Sequence, residues 1–326
     1  MRFAAVVAAT IGAAAMPPMA AMTVTRHIPL ADGGWDYVSF DAASHRLFIG
    51  RGTGATTVDI AAGSVREALA PATRGHQALT LGTTGIAALT STAAGGVLLF
   101  DATTGAVAAT VKTGPKPDAA IWDEAAQRLY VMDNAGGGIA VVDPVKRAVE
   151  ATIAIPGALE SVALGGHGRL YVNVEDKGAL VTVDLAARTV VGTTPLGCEE
   201  PNGLALTKSG TLIAACASKQ AKFVDAATGK VTGGIAIGPG SDTVLYDPAR
   251  DRAYIPTSRD GMMTVLDTAA PIPIKLGAVV TAPGARTGAI DPATGAVYLV
   301  AAKYAAAIGA ERPKALSGSV EVIELR

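Results

Sequence analysis

The sequence predicts an all-β protein, a seven-bladed β-propeller with four antiparallel strands in each blade. One motif recurs along almost the whole chain, and its copies begin at spacings of 40, 42, 42, 42, 40 and 44 residues. Within a copy, short runs that alternate apolar with small or polar residues are separated by Asn, Gly and Asp-Pro, which is typical of short strands and tight turns. A period of about 40 residues with four strands per unit is the signature of a propeller.

Each copy opens with a short apolar run that we assign to its first strand. The seven runs are DYVSFD from residue 36, HQALTL from 76, DAAIWD from 118, ESVALG from 160, NGLALT from 202, DTVLYD from 242 and RTGAID from 286. In the third copy, RLYV at 128, IAVVD at 139 and AVEATI at 148 supply the other three strands. Asp at the end of a third strand caps a turn, and the following Gly accepts positive φ.

The seventh copy lacks a fourth strand, because the sequence runs out at Arg326. A lone strand is predicted at residues 24–30, before the first copy. Pairing of this strand with the last copy would complete the seventh blade, close the ring and remove an exposed edge. The sequence therefore predicts one domain over residues 21–326, closed by its N-terminal strand.

Residues 1–20 resemble an export signal. Arg2 precedes an apolar run at 3–16, and small residues follow at Ala20 and Ala21. The run is too short to span a bilayer. We therefore expect a periplasmic or secreted protein with no membrane span; the alternative is a disordered N-terminus.

The composition gives no indication of nucleic-acid binding. Charged residues make up 17% of the chain and the formal net charge is −1. The sequence has no basic patch, so nothing in it indicates binding to nucleic acid.

Cys198 and Cys216 are the only cysteines. In an exported chain, two cysteines that flank one hairpin suit a disulfide, and the alternative is two buried free thiols.

The repeats also carry a family resemblance. The succession of RLYV and IAVVD, with TGKV at 228 and DPATGAVYLV at 291, resembles the YVTN-repeat (YncE-type) family of bacterial seven-bladed propellers from about residue 24 to 326. The resemblance implies the fold, but the activities of that family are heterogeneous. The repeat is also similar to propeller subunits of some amine dehydrogenases and to haem-binding nitrite reductase domains, although none of their cofactor ligand sets is recognisable here.

The aligned copies predict a binding site at one mouth of the central channel. The first strand of every blade lines that channel, so the opening residue of each copy should lie around a common axis. The predicted ligand-binding residues are Asp36, His76, Asp118, Glu160, Asn202, Asp242 and Arg286. The alternative is that these polar residues bond strand-end backbone groups and hold channel waters.

Electrostatics makes such a ring costly without compensation. Two like charges about 8 Å apart repel by roughly 2 kcal/mol at an effective dielectric constant near 20. A carboxyl pKa must rise, Arg286 and a protonated His76 must compensate, or a cation must bind. The candidate metal ligands are Asp36, His76, Asp118, Glu160 and Asp242. An oxygen-rich set with one His suits Ca²⁺, Mg²⁺ or Mn²⁺ and admits Zn²⁺ or Fe²⁺.

Three functions are compatible with this site. The first is a binding protein that holds a small ligand, a metal ion or a protein partner at the mouth. The second is a metal-dependent hydrolase or lyase with His76 as base and Asp118 as the other catalytic candidate. The third is a subunit of a periplasmic redox complex. The sequence contains no common nucleophile or nucleotide motif, so whether the protein is an enzyme stays open.

Overall fold

The computed structural model describes residues 22–305 and 314–326, and this part of the chain is almost entirely β-structure. Seven four-stranded antiparallel sheets form a ring, which confirms the predicted seven-bladed β-propeller. The predicted export signal at residues 1–20 lies outside the described residues, as does the part of the long final loop between 306 and 313.

Blades 1 to 6 each take four consecutive strands, with the innermost strand first. Blade 1 consists of β2 (Trp35–Asp41), β3 (Arg46–Arg51), β4 (Gly54–Asp59) and β5 (Ser64–Pro71). Blade 2 consists of β6 (Gly75–Thr80), β7 (Ile86–Ser91), β8 (Gly96–Asp101) and β9 (Val107–Lys112). Blade 3 consists of β10 (Pro117–Asp123), β11 (Arg128–Asp133), β12 (Gly138–Asp143) and β13 (Ala148–Ala154).

Blade 4 consists of β14 (Leu159–Leu164), β15 (Arg169–Val174), β16 (Ala179–Asp184) and β17 (Thr189–Pro195), with a short 3₁₀ turn at Glu175–Lys177. Blade 5 consists of β18 (Pro201–Leu206), β19 (Thr211–Cys216), β20 (Gln220–Asp225) and β21 (Lys230–Ala236). Blade 6 consists of β22 (Leu245–Asp247), β23 (Arg252–Thr257), β24 (Met262–Asp267) and β25 (Ile274–Val280). Blade 7 takes β26 (Gly288–Ile290), β27 (Val297–Ala301), β28 (Glu321–Leu325) and β1 (Val24–Pro29).

The first strand of the chain closes the ring, as the orphan run predicted. β1 pairs antiparallel with β28, with His27 opposite Ile323. Beyond the strand ends, the backbone N–H of Thr23 donates to the carbonyl of Arg326 at 2.8 Å. β1 therefore forms the outer edge of blade 7, with β28 beside it.

The core lies between the blades. The middle strands are buried on both faces because each sheet packs between two others; β12, for example, is buried along its full length. An outer strand such as β17 alternates between exposed and half-buried residues, because only one of its faces meets a neighbour. Leu99 of blade 2 and Val131 of blade 3 share one apolar cluster, and each is at most 1% exposed. Aliphatic side chains thus dominate the core, as the low aromatic content indicates.

The innermost strands of blades 6 and 7 are shorter than their apolar runs predict. β22 and β26 have three residues each, so Asp242 and Arg286 lie just before a strand instead of within it. In blade 6, an isolated bridge between Ser241 and Thr257 continues the pairing on the far side of a gap. Pro256 lies in β23 beside this gap and has no N–H to donate, which gives a physical reason for the interruption.

Two further sequence expectations can be compared with the fold. Cys198 and Cys216 form a disulfide, which joins the connection from blade 4 to blade 5 with the end of β19. Within residues 22–305 and 314–326, none of the helical segments has the length and hydropathy needed to cross a membrane.

Candidate functional site

The innermost strands of all seven blades surround a central channel. An internal cavity of about 350 Å³ is lined by residues from each blade, among them Tyr37, Gln77 and Thr243. At one end of this channel lie the opening residues of the seven copies. We call this end the mouth.

A repeated backbone irregularity positions the residues of the mouth. In blade 1, Trp35 pairs with Arg51 and Val38 pairs with Ile49, so that Asp36 and Tyr37 together lie opposite a single residue. The same shift of one residue occurs in blades 2 to 5 at His76, Asp118, Glu160 and Asn202. Such a β-bulge bends the strand and re-aims its side chains. The bulge therefore frees the opening residue from the regular alternation of its sheet.

Hydroxyl groups of neighbouring blades satisfy the carbonyls at these bulges. The Thr90 hydroxyl donates to the Asp118 carbonyl at 2.6 Å, and the Thr287 hydroxyl donates to the Asp36 carbonyl at 2.7 Å. The Ser161 hydroxyl donates in the same way to the Asn202 carbonyl. Because a buried carbonyl without a partner costs about 1–3 kcal/mol, these bonds hold the mouth in place and link adjacent blades.

His76 lies between two carboxylates on one side of the mouth. Its Nδ1 is 2.9 Å from Asp36 Oδ2 and 3.6 Å from Asp118 Oδ1. Its other ring nitrogen, Nε2, is 2.7 Å from the Thr92 hydroxyl. One potential ligand atom from each of Asp36, His76 and Asp118 lies within 4.8 Å of the other two. We call these three residues the His76 cluster.

Charge and burial oppose each other in the His76 cluster. The hydrogen bond that the His76 imidazole donates to the Asp36 carboxylate raises the pKa of His76, although burial of the imidazole acts in the opposite direction. Burial, and next the Asp36 carboxylate, raise the pKa of Asp118 to about 6 against the lowering effect of His76. Asp118 is only 6% exposed. A positive charge between these carboxylates therefore stabilises the site, and it can be a proton on His76 or a metal ion.

Glu160, which belongs to blade 4, contacts a residue on the far side of the channel. The hydroxyl of Tyr37 in blade 1 donates to Glu160 Oε2 at 3.2 Å, so this bond crosses the channel axis. The Asn134 amide donates to Glu160 Oε1 at 2.6 Å. Burial raises the pKa of Glu160 to about 9, with further contributions from the carboxyl groups of Asp118 and Glu175. Glu160 is therefore a neutral acid at pH 7.

Tyr37 separates the mouth from the channel interior. Its ring lines the internal cavity, while its hydroxyl reaches Glu160 in the mouth. Burial raises the pKa of Tyr37 well above its usual range, with Glu160 as the next contributor. Tyr37 is thus a neutral hydrogen-bond donor that lies between the cavity and Glu160.

Blades 6 and 7 contribute an ion pair to the mouth. Arg286 Nε donates to Asp242 Oδ2 at 2.7 Å, and Arg286 Nη2 donates to the Trp35 carbonyl at 3.3 Å. The guanidinium also lies 6.0 Å from the centre of the Trp35 ring. Burial raises the pKa of Asp242 to about 6 although Arg286 lowers it.

Asn202 completes the predicted set, and its side-chain oxygen is buried without a partner among the described residues.

The structure thus divides the seven predicted residues into separate groups. Asp36, His76 and Asp118 form one cluster, Asp242 and Arg286 form an ion pair, and Glu160 and Asn202 stand apart from both. Of the five candidate metal ligands, Glu160 and Asp242 lie outside the three-residue cluster. Their bonding partners give a physical reason, since Glu160 accepts hydrogen bonds from Tyr37 and Asn134, and Asp242 is paired with Arg286.

Several residues of the mouth escaped the repeat alignment. Thr92, Asn134 and Glu175 lie in the turns between the second and third strands, where the copies differ in sequence and length. Lys116 precedes a first strand, and its ammonium donates to the Asn134 side-chain oxygen. The position of these turns could have predicted them, because the turn after each second strand lies at the same end of the blade as the start of the first strand. An alignment of the first strands alone omits these turns.

The geometry of the His76 cluster fits a small divalent cation. Tetrahedral ligands at 2.0–2.1 Å from a metal lie about 3.4 Å from each other. The distances from His76 Nδ1 to the two carboxylates, 2.9 and 3.6 Å, lie on either side of this value. If Nε2 carries the proton and donates it to Thr92, then Nδ1 presents its lone pair to the carboxylates. Three protein ligands would leave at least one coordination position open.

Comparison with known proteins identifies the fold and goes no further. No protein-family model and no curated protein sequence matches this chain. A chain in the crystal structure of the mitotic checkpoint complex aligns with a TM-score of 0.75 and 13% identity over 99% of this chain and 98% of that one. Kuenenia stuttgartiensis hydrazine synthase aligns with a TM-score of 0.73 and 14% identity, over 84% of this chain and 94% of that one. At such identities the likeness concerns the propeller fold alone.

Proposed function

We propose that this protein is a propeller that binds a divalent cation through Asp36, His76 and Asp118 and uses it to hold a small ligand or a protein partner at the mouth. The observation that carries the proposal is the convergence of one imidazole nitrogen and two carboxylates within 4.8 Å. These three residues are separated by 40 and 42 positions in the sequence and meet only because the blades form a ring.

The donor set favours a first-row divalent ion. Ca²⁺ and Mg²⁺ prefer oxygen ligands, Mn²⁺ is bound readily by carboxylates, and an imidazole suits Zn²⁺ or Fe²⁺. The low exposure of Asp118 adds to this preference, because few waters can complete the larger coordination shell of Ca²⁺ there. The ammonium of Lys116 acts against cation binding, as it lowers the pKa of both His76 and Asp118. Its bond to Asn134 directs that ammonium away from the cluster.

The test is calorimetric titration of chelator-treated protein with ZnCl₂ and MnCl₂. One equivalent should bind, and Asp118→Asn and His76→Ala should each weaken binding by about tenfold or more. Glu160→Gln is the matched control, since it changes an acid of the mouth outside the cluster. Absence of stoichiometric binding, or equal affinity in the Asp118→Asn variant, would eliminate the proposal.

Hydrolase or lyase activity is the second candidate. It is favoured by the open coordination position combined with a neutral carboxylic acid, Glu160, at the same mouth. A bound metal would polarise the substrate, and Glu160 could protonate a leaving group. Turnover of activated ester or phosphoester substrates that is lost in both Asp118→Asn and Glu160→Gln would favour this function over simple binding.

The cellular setting belongs to the same proposal. We propose that residues 1–20 direct export, that residues 21–326 form one domain in the periplasm or outside the cell, and that the chain is a YVTN-repeat propeller. The disulfide supports an oxidising compartment, and the repeated RLYV and IAVVD runs support the family. Mass spectrometry of the protein recovered from a bacterial periplasm would test export, since a mature N-terminus near residue 21 is expected.

A further inference from the structure

A second cavity opens beside the mouth. It has a volume of about 440 Å³ and lies between the loop that precedes β2 and the connection from β27 to β28. Its walls comprise Asp32, Gly33, Gly34, Trp35, Arg286, Tyr304, Lys314, Ala315 and Ser317. The volume falls in the range of pockets that hold small organic molecules. None of these residues belongs to the His76 cluster.

The walls offer more hydrogen-bond donors than they use. A guanidinium has five N–H groups, and Arg286 engages one with Asp242 and one with the Trp35 carbonyl. The indole N–H of Trp35 is buried and has no partner among the described residues. Lys314 is exposed and forms no ion pair within residues 22–305 and 314–326. A ligand that supplies acceptors would satisfy these donors.

The one carboxylate in the walls is already engaged. Asp32 accepts a hydrogen bond from the Ser317 hydroxyl at 2.6 Å and another from the Gly318 backbone N–H at 2.7 Å. These bonds tie the loop before β2 to the connection that follows β27. Asp32 therefore acts as a structural clasp, and Arg286 and Lys314 determine what an incoming ligand meets.

Two aromatic rings supply an apolar face. Trp35 is 8% exposed and belongs to the apolar cluster between blades 7 and 1, and Tyr304 packs against that cluster. The ring of Tyr304 also lies close to Gly284, where a Cβ atom would be 2.6 Å from it. The glycine thus fixes the ring beside the cavity. Flat aromatic walls favour a planar ligand, because aromatic pairs gain energy from stacked or edge-on contact.

We propose that this cavity binds a small aromatic carboxylate, with the carboxylate on Arg286 and Lys314 and the ring against Trp35 and Tyr304. This site goes beyond the proposed metal function and does not depend on it. A planar guanidinium pairs with a carboxylate through two parallel hydrogen bonds, and Arg286 retains the N–H groups for such a pair beside its bond to Asp242.

The chain contains a built-in reporter for the test. It has two tryptophans, and only Trp35 lines the cavity. Trp122 lies at the opposite end of its inner strand, where its indole N–H donates to Glu124 at 2.7 Å. Protein labelled with 5-fluorotryptophan should therefore give two ¹⁹F resonances, and a Trp122→Phe variant assigns them.

Chelator-treated protein is titrated with benzoate, and separately with benzamide, acetate and inorganic phosphate. Benzoate should shift the Trp35 resonance saturably and leave that of Trp122 unchanged. Benzamide lacks the charge, acetate lacks the ring, and both should bind about tenfold more weakly or worse. Phosphate should compete poorly. The proposal is overturned if benzoate does not shift the Trp35 resonance, or if benzamide, acetate or phosphate shifts it at the same concentrations as benzoate.

Variants separate a built site from surface association. Lys314→Met changes an exposed side chain and should weaken benzoate binding several-fold without affecting the fold. The double variant Arg286→Met with Asp242→Asn removes both members of the buried pair, so that no uncompensated charge remains, and should abolish saturable binding. Unchanged benzoate affinity in both proteins would also refute the assignment, because neither cation would then contact the ligand.

Discussion

Replacing Glu160 by glutamine should change how the stability of the protein depends on pH. In the folded protein, burial and the neighbouring carboxyl groups of Asp118 and Glu175 raise the pKa of Glu160 to about 9 from its ordinary 4.5. A carboxyl group with a raised pKa contributes stability fully below its ordinary pKa and loses that contribution as the pH rises through the folded value. The contribution of Glu160 to the free energy of unfolding should therefore fall as the pH rises from about 4.5 to 9.

The size of the effect follows from the window chosen. Burial raises the pKa of both Asp118 and Asp242 to about 6, so their own contributions are lost mainly below pH 7. Between about pH 7 and pH 8.5, the free energy of unfolding should fall by about 1.4 kcal/mol per pH unit because of Glu160, or by ~2 kcal/mol in total. Glutamine does not ionise; its one side-chain oxygen can accept from Asn134, and its NH₂ group can donate to the Tyr37 hydroxyl oxygen in place of the bond that Glu160 accepts.

Urea denaturation at both pH values, with chelator present and the disulfide intact, measures this difference. The free energy of unfolding of the natural protein should fall by ~2 kcal/mol more than that of the Glu160→Gln variant over this window. Glu199→Gln, which changes an exposed glutamate, is the control and should behave as the natural protein does. Parallel pH dependence in all three proteins would refute the account of Glu160 as a buried neutral acid.

Three further predictions concern the framework of the mouth. Gly50→Ala should lower the free energy of unfolding by more than about 2 kcal/mol and impair zinc binding, because a Cβ atom there would lie 1.7 Å from the carbonyl oxygen of His76; thermal melts and zinc titration measure both effects. Thr90→Val should cost about 1–3 kcal/mol in urea denaturation, since it leaves the Asp118 carbonyl without its hydroxyl donor. Replacing both cysteines by serine opens a loop with a sequence separation of 18 and should cost about 3 kcal/mol by the same assay; a loss below about 1 kcal/mol would argue against the disulfide as a stabiliser.

The sequence predicts the fold well because the signal is repeated seven times. Alternation of apolar residues identifies each strand, and the period of about 40 residues identifies the blade. The lone strand at 24–30 even indicates how the ring closes. The shortened β22 shows the limit of this reasoning, because Pro256 interrupts pairing from the adjacent strand, and an apolar run does not reveal what stands opposite it.

The site is less predictable from sequence, since its grouping depends on side-chain reach. The repeat suggests that Asp36, His76 and Asp118 are neighbours, but it treats Glu160 and Asp242 as equivalent to them. The partners of these acids separate them, because Glu160 is held by Tyr37 and Asn134 and Asp242 by Arg286, and such contacts form only in three dimensions. The bond between Tyr37 and Glu160, for example, crosses from one side of the channel to the other and has no counterpart in any local pattern.

The pairing of β1 with β28 also constrains how the protein folds during synthesis. A ribosome releases the partner of the first strand only after nearly every other residue has been made, so the ring must remain open throughout synthesis. Each earlier intermediate leaves β1 without its partner strand and exposes the uncovered edge of an unfinished blade. Closure of the ring is therefore a late step of assembly, because β1 has no partner strand until β28 has been synthesised.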